Sequence, residues 1–215
     1  TKPDFSCTAR IRVRMYRVGF GDFFLLTVPG RSGPAHILID CGVHAKAIEG
    51  AMDHCVADLK ATTGGRLALV IATHYHADHL SGFASNYEEF LGFEVGMVWI
   101  TNRLDPSHAG ATAVMSGVTS LASALALRLG TRSDEAAEEA RAKVDNALGV
   151  PLGASGTRGN AKALELLRSG FGSEETPVRY YQGGDVPELP PDLEGVLTAE
   201  ILAPAPLAVV GEFTA

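Results

Sequence analysis

An apolar run, Leu67 to Ala72, passes straight into Thr73-His74-Tyr75-His76-Ala77-Asp78-His79-Leu80-Ser81-Gly82. Such a run, following a Thr-Thr-Gly-Gly break, reads as a buried strand, and it delivers four metal-capable side chains within six positions. In extended backbone, residues two apart project to the same side, so His74, His76 and Asp78 can converge on one point, with His79 following as the chain turns. Neutral imidazole nitrogens and a carboxylate bind zinc at roughly 2.0–2.2 Å, and catalytic zinc sites typically combine three protein ligands with a water. Two histidines therefore start one site, and the Asp78-His79 pair can start a second. The helical H-E-x-x-H arrangement sets its ligands one turn apart; H-x-H-x-D-H instead requires a loop.

The chain around this motif is long enough, at 215 residues, to bury a substantial core as one domain. A net charge of −7 argues against a general affinity for nucleic acid. Arg10, Arg12 and Arg14 alternate with Ile11, Val13 and Met15; the arginines read as a solvated face that discourages edge pairing, in preference to a site for an anionic partner. Cys7, Cys41 and Cys55 are widely spaced and odd in number, which favours a reducing, cytoplasmic setting. No window reads as the ~20 apolar residues of a membrane span, and the first residues lack a signal-peptide profile.

Periodicity predicts strands over Ala9–Val18 and Phe23–Val28, joined at Gly19-Phe20-Gly21-Asp22. A loop over Pro29–Pro34 and a short strand over His36–Ile39, ending in Asp40-Cys41-Gly42, come next. Helical spacing from His44 to Lys60 packs one face on a sheet, with His44 and His54 at the surface or its boundary. After the motif come a helix over Phe83–Leu91 and a strand over Val95–Ile100, with Trp99 in the core. An alanine-rich helix over Ala109–Leu129 and a charged helix from Asp134, with Glu139 and Lys143 one turn apart, read as a helical hairpin. A flexible link over Gly153–Gly159, a helix over Asn160–Leu167, and strands over Val178–Gln182 and Ala199–Leu202 flanking the Pro-rich stretch Pro187–Pro191 complete the pattern. Alternating strands and helices make this an α/β layered fold.

A hydrophobic strand ending in T-H-x-H-x-D-H resembles the signature of the metallo-β-lactamase superfamily, and the G-x-G-D turn resembles the opening of many of its members. The resemblance covers Ile11 to Ile100, the family's amino-terminal half. It implies a layered αβ/βα sandwich, incomplete here. An αβ half with the metal loop would span 1–104, a helical insertion 105–170, and a return to the sheet 171–215. It implies two zinc ions, with manganese or iron as alternatives: His74 and His76 on the first, Asp78 and His79 on the second, and Asp78 also steering the nucleophile as the catalytic residue. Asp40, after the L-I-D strand, would support the loop by orienting a ligand, alongside Asp22 of the G-x-G-D turn.

The family's later ligands have no evident counterpart. His108 is the only histidine after the motif and the candidate extra ligand, and Gly184-Asp185 sits in a turn. A carboxy-terminal half, a partner chain or a second copy is expected to complete the site. The implied activity is water-activated hydrolysis of an ester-type bond in a small molecule. A phosphodiester or other phosphoester is favoured over a β-lactam, with thioesters, lactones and lactams open. Nucleic acid enters only as a substrate, and no membrane partner is expected. The alternative is a non-catalytic metal-binding or interaction module that retains half of the site.

Overall fold

A computed structural model describes residues 10–44, 48–130, 132–148 and 159–206. In chain order the elements are β1 (Arg12–Met15), β2 (Phe23–Gly30), β3 (Gly33–Cys41), α1 (Ala51–Thr63), β4 (Arg66–Leu67), β5 (Leu69–Ala72), α2 (Ala77–Ser85), α3 (Tyr87–Leu91), β6 (Glu94–Val95), β7 (Val98–Thr101), α4 (Ala109–Leu129), α5 (Glu135–Ala147), α6 (Gly159–Arg168) and β8 (Val178–Tyr181). The main sheet runs β1-β2-β3-β5-β7-β8, and β4 pairs separately with β6. The first three strands form an antiparallel meander; β3, β5, β7 and β8 are parallel. Helical crossovers between parallel strands place the strand ends Asp40, Thr73 and Asn102 along one rim of the sheet. This is the α/β layered architecture that the alternating pattern predicts.

One face of the sheet carries the larger core. Leu25, Leu38, Val70, Val98 and Ile100 from the strands meet Val56 and Leu59 of α1, Leu80 and Phe83 of α2, Phe90 of α3, and Leu166 and Leu167 of α6. The phenylalanine rings of this layer touch one another: Phe83, Phe90 and Phe171 lie 4.9–6.1 Å apart between centroids. The second face buries Val28, Ile37, Leu69, Met97 and Trp99, and is covered by Leu189, Leu193, Leu197 and Ile201 of an irregular segment. Among the described residues nothing covers its β1 end.

Several expectations are corrected. Ile11, Val13 and Met15 are exposed at 69%, 63% and 72%. They lie on the second face, while Arg14 turns to the helical face and bonds Asp58 and Thr62 of α1. Alternation separates two faces without revealing which is covered. Pro29 and Pro34 lie in no loop: they pair with each other in the β2–β3 ladder, whose turn is only Arg31-Ser32. The helix expected from His44 begins at Ala51, and 45–47 lie outside the described residues. His44 itself is buried. Ala199–Leu202 is not a strand; it runs irregularly, tied by Gly184 N–H to the Ile201 carbonyl at 2.8 Å. The α4 helix, at 21 residues, is long and apolar enough to cross a membrane by length and composition, because its alanines add hydropathy that reading by large residues overlooks. Cys7 and most of the Gly153–Gly159 link lie outside the described residues; among the described residues Cys41 and Cys55 are free thiols.

Candidate metal centre

Strand β5 leaves the core at Ala72 and the chain stays extended through His76, whose φ of −63° and ψ of 153° make it the residue before α2. The helix starts at Ala77, six residues ahead of the expected Phe83, so Asp78 and His79 stand in its first turn and not in a loop. The backbone switch still brings three side chains together. His74, His76 and Asp78 each offer an atom within 4.8 Å of the others. The His74 and His76 rings meet edge to face at 4.7 Å, and His74 lies 3.6 Å from the His79 ring, centroid to centroid.

His79 stands between this group and a second one. Its Nδ1 lies 2.7 Å from Asp40 Oδ2 and 3.5 Å from Asp22 Oδ2, while Nε2 is 3.7 Å from Asp78 Oδ2. It therefore groups with Asp22 and Asp40 as a second cluster of potential donors. Asp40 is buried at the end of β3 and adopts a left-handed φ of 52°, a conformation that aspartate tolerates better than most residues. Its carboxylate also accepts from Thr73 N at 2.8 Å and from Thr73 Oγ1 at 2.6 Å. Since that hydroxyl gives its proton to Asp40, its 3.0 Å contact with His74 Nδ1 makes the hydroxyl oxygen the acceptor. His74 then carries its proton on Nδ1 and leaves Nε2 free, the way a neighbouring acceptor sets an imidazole tautomer.

The G-x-G-D turn belongs to the same assembly. Asp22 N–H donates to the Asp78 carbonyl at 2.9 Å, and the Asp22 carbonyl accepts from Gly42 N at 3.0 Å. Gly42 is packed so closely on the Asp78-His79 backbone that a side chain there would overlap it, and Gly21 packs on Gly42 in the same way. Glycine at these two positions is what lets three chain segments meet.

Further supports carry no motif. Asn146 Oδ1 of α5 accepts from Asp78 N at 3.2 Å, Asn160 Nδ2 of α6 donates to the Tyr75 carbonyl, and buried His44 places Nε2 at 2.7 Å from the Ala142 carbonyl. Asn146 lies in a charged helix and gives no sequence signal; for Asn160 the one cue is its polarity on the face of Ala163, Leu164 and Leu167. His108 stands apart from both donor clusters. It is the N-cap of α4, its ring accepting from Ala111 N at 3.3 Å. Asp185 likewise closes its own turn, accepting from Gln182 N at 2.8 Å.

Electrostatics separate the histidines. Burial pushes His74 down from the ordinary imidazole value, helped by the nearby His79 and His76. Burial also lowers His76, against the pull of Asp78. Burial works in the same direction on His79, but the hydrogen bond and charge of Asp40, with Asp78 and Asp22, outweigh it and the net shift is upward. His74 and His76 are thus kept as neutral donors. Asp78 Oδ1 is buried without a hydrogen-bond partner, an arrangement that costs free energy unless something satisfies it. Two neutral imidazoles and an orphaned carboxylate oxygen fit a divalent cation.

Beside His74 and His76 opens a cavity of about 670 Å³.

Residues 18–85 match the family model of the metallo-beta-lactamase superfamily. Among solved structures the chain is similar to that of a beta-lactamase domain protein from Burkholderia ambifaria, with 14% identity and a TM-score of 0.38, over 87% of this chain and 44% of that one. The chain thus spans less than half the length of that protein. No curated protein matches it. Over residues 18–85 the chain carries the sequence pattern of the metallo-β-lactamase superfamily.

Proposed function

We propose that the chain is a metal-dependent hydrolase acting on an ester-type bond. The observation that carries this reading is the convergence of His74, His76 and Asp78, two neutral imidazoles with a buried, unpartnered carboxylate oxygen. These three would hold one ion, zinc being the first choice for such donors. His79, with its Nε2 toward Asp78 and Asp22 nearby, would contribute to a second. When bound, the metal supplies Lewis acidity and a nucleophilic water at neutral pH. The rest is done by the chain: Asp40 holds His79 and the Thr73 backbone in place, Thr73 sets the His74 tautomer, and Asp78 is the carboxylate placed to accept a proton or orient the attacking water. A phosphoester remains the substrate expectation carried by the G-x-G-D opening.

The second reading is a module that binds metal without turnover. Among the described residues no later histidine joins either cluster, which favours it; the enzyme reading therefore includes donors from outside these residues, on further chain, a partner or a second copy. Metal content with turnover separates the two. Two equivalents of zinc or manganese, with hydrolysis of carboxylic or phosphate esters abolished in His76→Ala, supports the enzyme. At most one equivalent, with no turnover of any ester class, supports the module.

A further inference from the structure

The cavity beside the histidines is chemically one-sided. Strands β5 and β7 supply Ile71 and Trp99 to its wall, α4 supplies Met115 and Val118, and the irregular carboxy-terminal segment supplies Ile201. Among the described residues Arg103 is the one charged side chain in the wall, the two histidines being neutral, and no carboxylate lines it; its guanidinium is engaged with the Ala205 carbonyl at 3.0 Å. A polyanionic substrate would need several cations where this cavity offers aliphatic side chains. At about 670 Å³ it lies within the range of pockets that enclose small molecules. It reaches His74 and His76, so a group reacting there would leave the remainder of its molecule in the cavity.

We infer that the site takes substrates whose non-reacting part is an aliphatic acyl or alkyl chain, held between the sheet and α4. This rests on the hydrolase reading for the reaction, but the cavity binds the chain with or without metal. The shared chemistry is the aliphatic tail; the head can be a carboxylic ester or a phosphoester. Each methylene moved from water into such a wall improves binding by about fourfold.

The protein supplies its own probe, because its single tryptophan, Trp99, lines the cavity. The metal-free 215-residue chain is titrated with hexanol, octanol and decanol while Trp99 fluorescence is followed. The expected result is saturable binding that tightens about fourfold per methylene. Val118→Asp, in the part of the wall that α4 supplies, weakens octanol binding by at least about tenfold. Leu121→Asp, one turn on, 64% exposed and outside the wall, leaves binding unchanged. Binding that is independent of chain length, or equal in Val118→Asp and the parent, overturns the inference.

In a second arm the zinc-loaded chain is given acetyl and octanoyl nitrophenyl esters, and methyl and octyl nitrophenyl phosphodiesters. A kcat/KM preference for the octyl member of whichever pair is hydrolysed, lost in Val118→Asp, supports the inference and identifies the head group. A preference for the short member overturns it. Chain-length-dependent binding with no turnover of either pair retains the cavity assignment and removes the hydrolase reading instead.

Discussion

Asp40 is where several demands meet on one carboxylate. It takes the Thr73 N–H and hydroxyl on one side and His79 Nδ1 on the other, and it holds a left-handed φ to do so. Asp40→Asn keeps the shape and removes the charge. Partners of this kind are worth 10–100-fold in metal affinity, so zinc binding, measured by competition with a chelating dye, is expected to weaken by about that factor. Unchanged affinity would mean that Asp40 serves only the loop backbone.

The same substitution has a pH signature. A histidine whose folded pKa is raised contributes stability that is fully present below its unfolded value, about 6.5, and lost as pH rises through the folded value. The parent's advantage over Asp40→Asn in metal-free urea denaturation should therefore be larger in mild acid and shrink as pH rises through the His79 titration. An advantage flat across that window removes the ion pair from the account. His74 and His76 act oppositely: with pKa values lowered by burial, they meet little proton competition for metal until the pH falls below the ordinary imidazole range.

At the scale of elements, what was legible depended on whether a signal lies within the element. The strand before the histidines, the alanine-rich helix and its charged partner are all visible because periodicity is local; the Glu139–Lys143 pair, at 2.8 Å, is a case in point. The start of α2 was not legible, because its N-cap, His76, makes no side-chain capping bond and so carries none of the Ser, Thr, Asp or Asn signal that marks a helix start. Nor was the covered face of β1. Val13 and Leu25, on neighbouring strands, test that difference. Leu25, fully within the helical-face core, should cost about 2–5 kcal/mol on truncation to alanine, whereas Val13→Thr on the uncovered face should stay within about 0.5 kcal/mol. A comparable loss for Val13→Thr in urea denaturation would show that something covers that face in solution. Gly42 tests the junction of segments. Gly42→Ala places a methyl against the Asp78-His79 backbone; overpacking of that kind costs about 1–3 kcal/mol, and zinc affinity should fall with it because α2 must move.

At the scale of the molecule, the helical hairpin joins the candidate centre to a distant part of the chain. Nothing in the sequence of α5 announces this, since the Asn146 side chain meets a backbone N–H and the Ala142 carbonyl meets the His44 side chain, and neither pairing leaves a local pattern. Yet Asn146 caps the Asp78 N–H and Ala142 anchors His44, while most of α4, including Leu121 and Leu127, faces solvent. Local stability follows such contacts, and amide exchange reads it segment by segment. A metal that fixes Asp78 fixes the acceptor bonded to its N–H. Zinc is therefore expected to slow exchange in 73–79 and in the second half of α5, leaving the carboxy-terminal half of α4 unchanged. Asn146→Ala should abolish the α5 response while the 73–79 response persists. If α5 exchanges identically with and without zinc while 73–79 is protected, the hairpin is a passive neighbour of the site; if it responds, the hairpin's position and the occupancy of the histidines form one equilibrium.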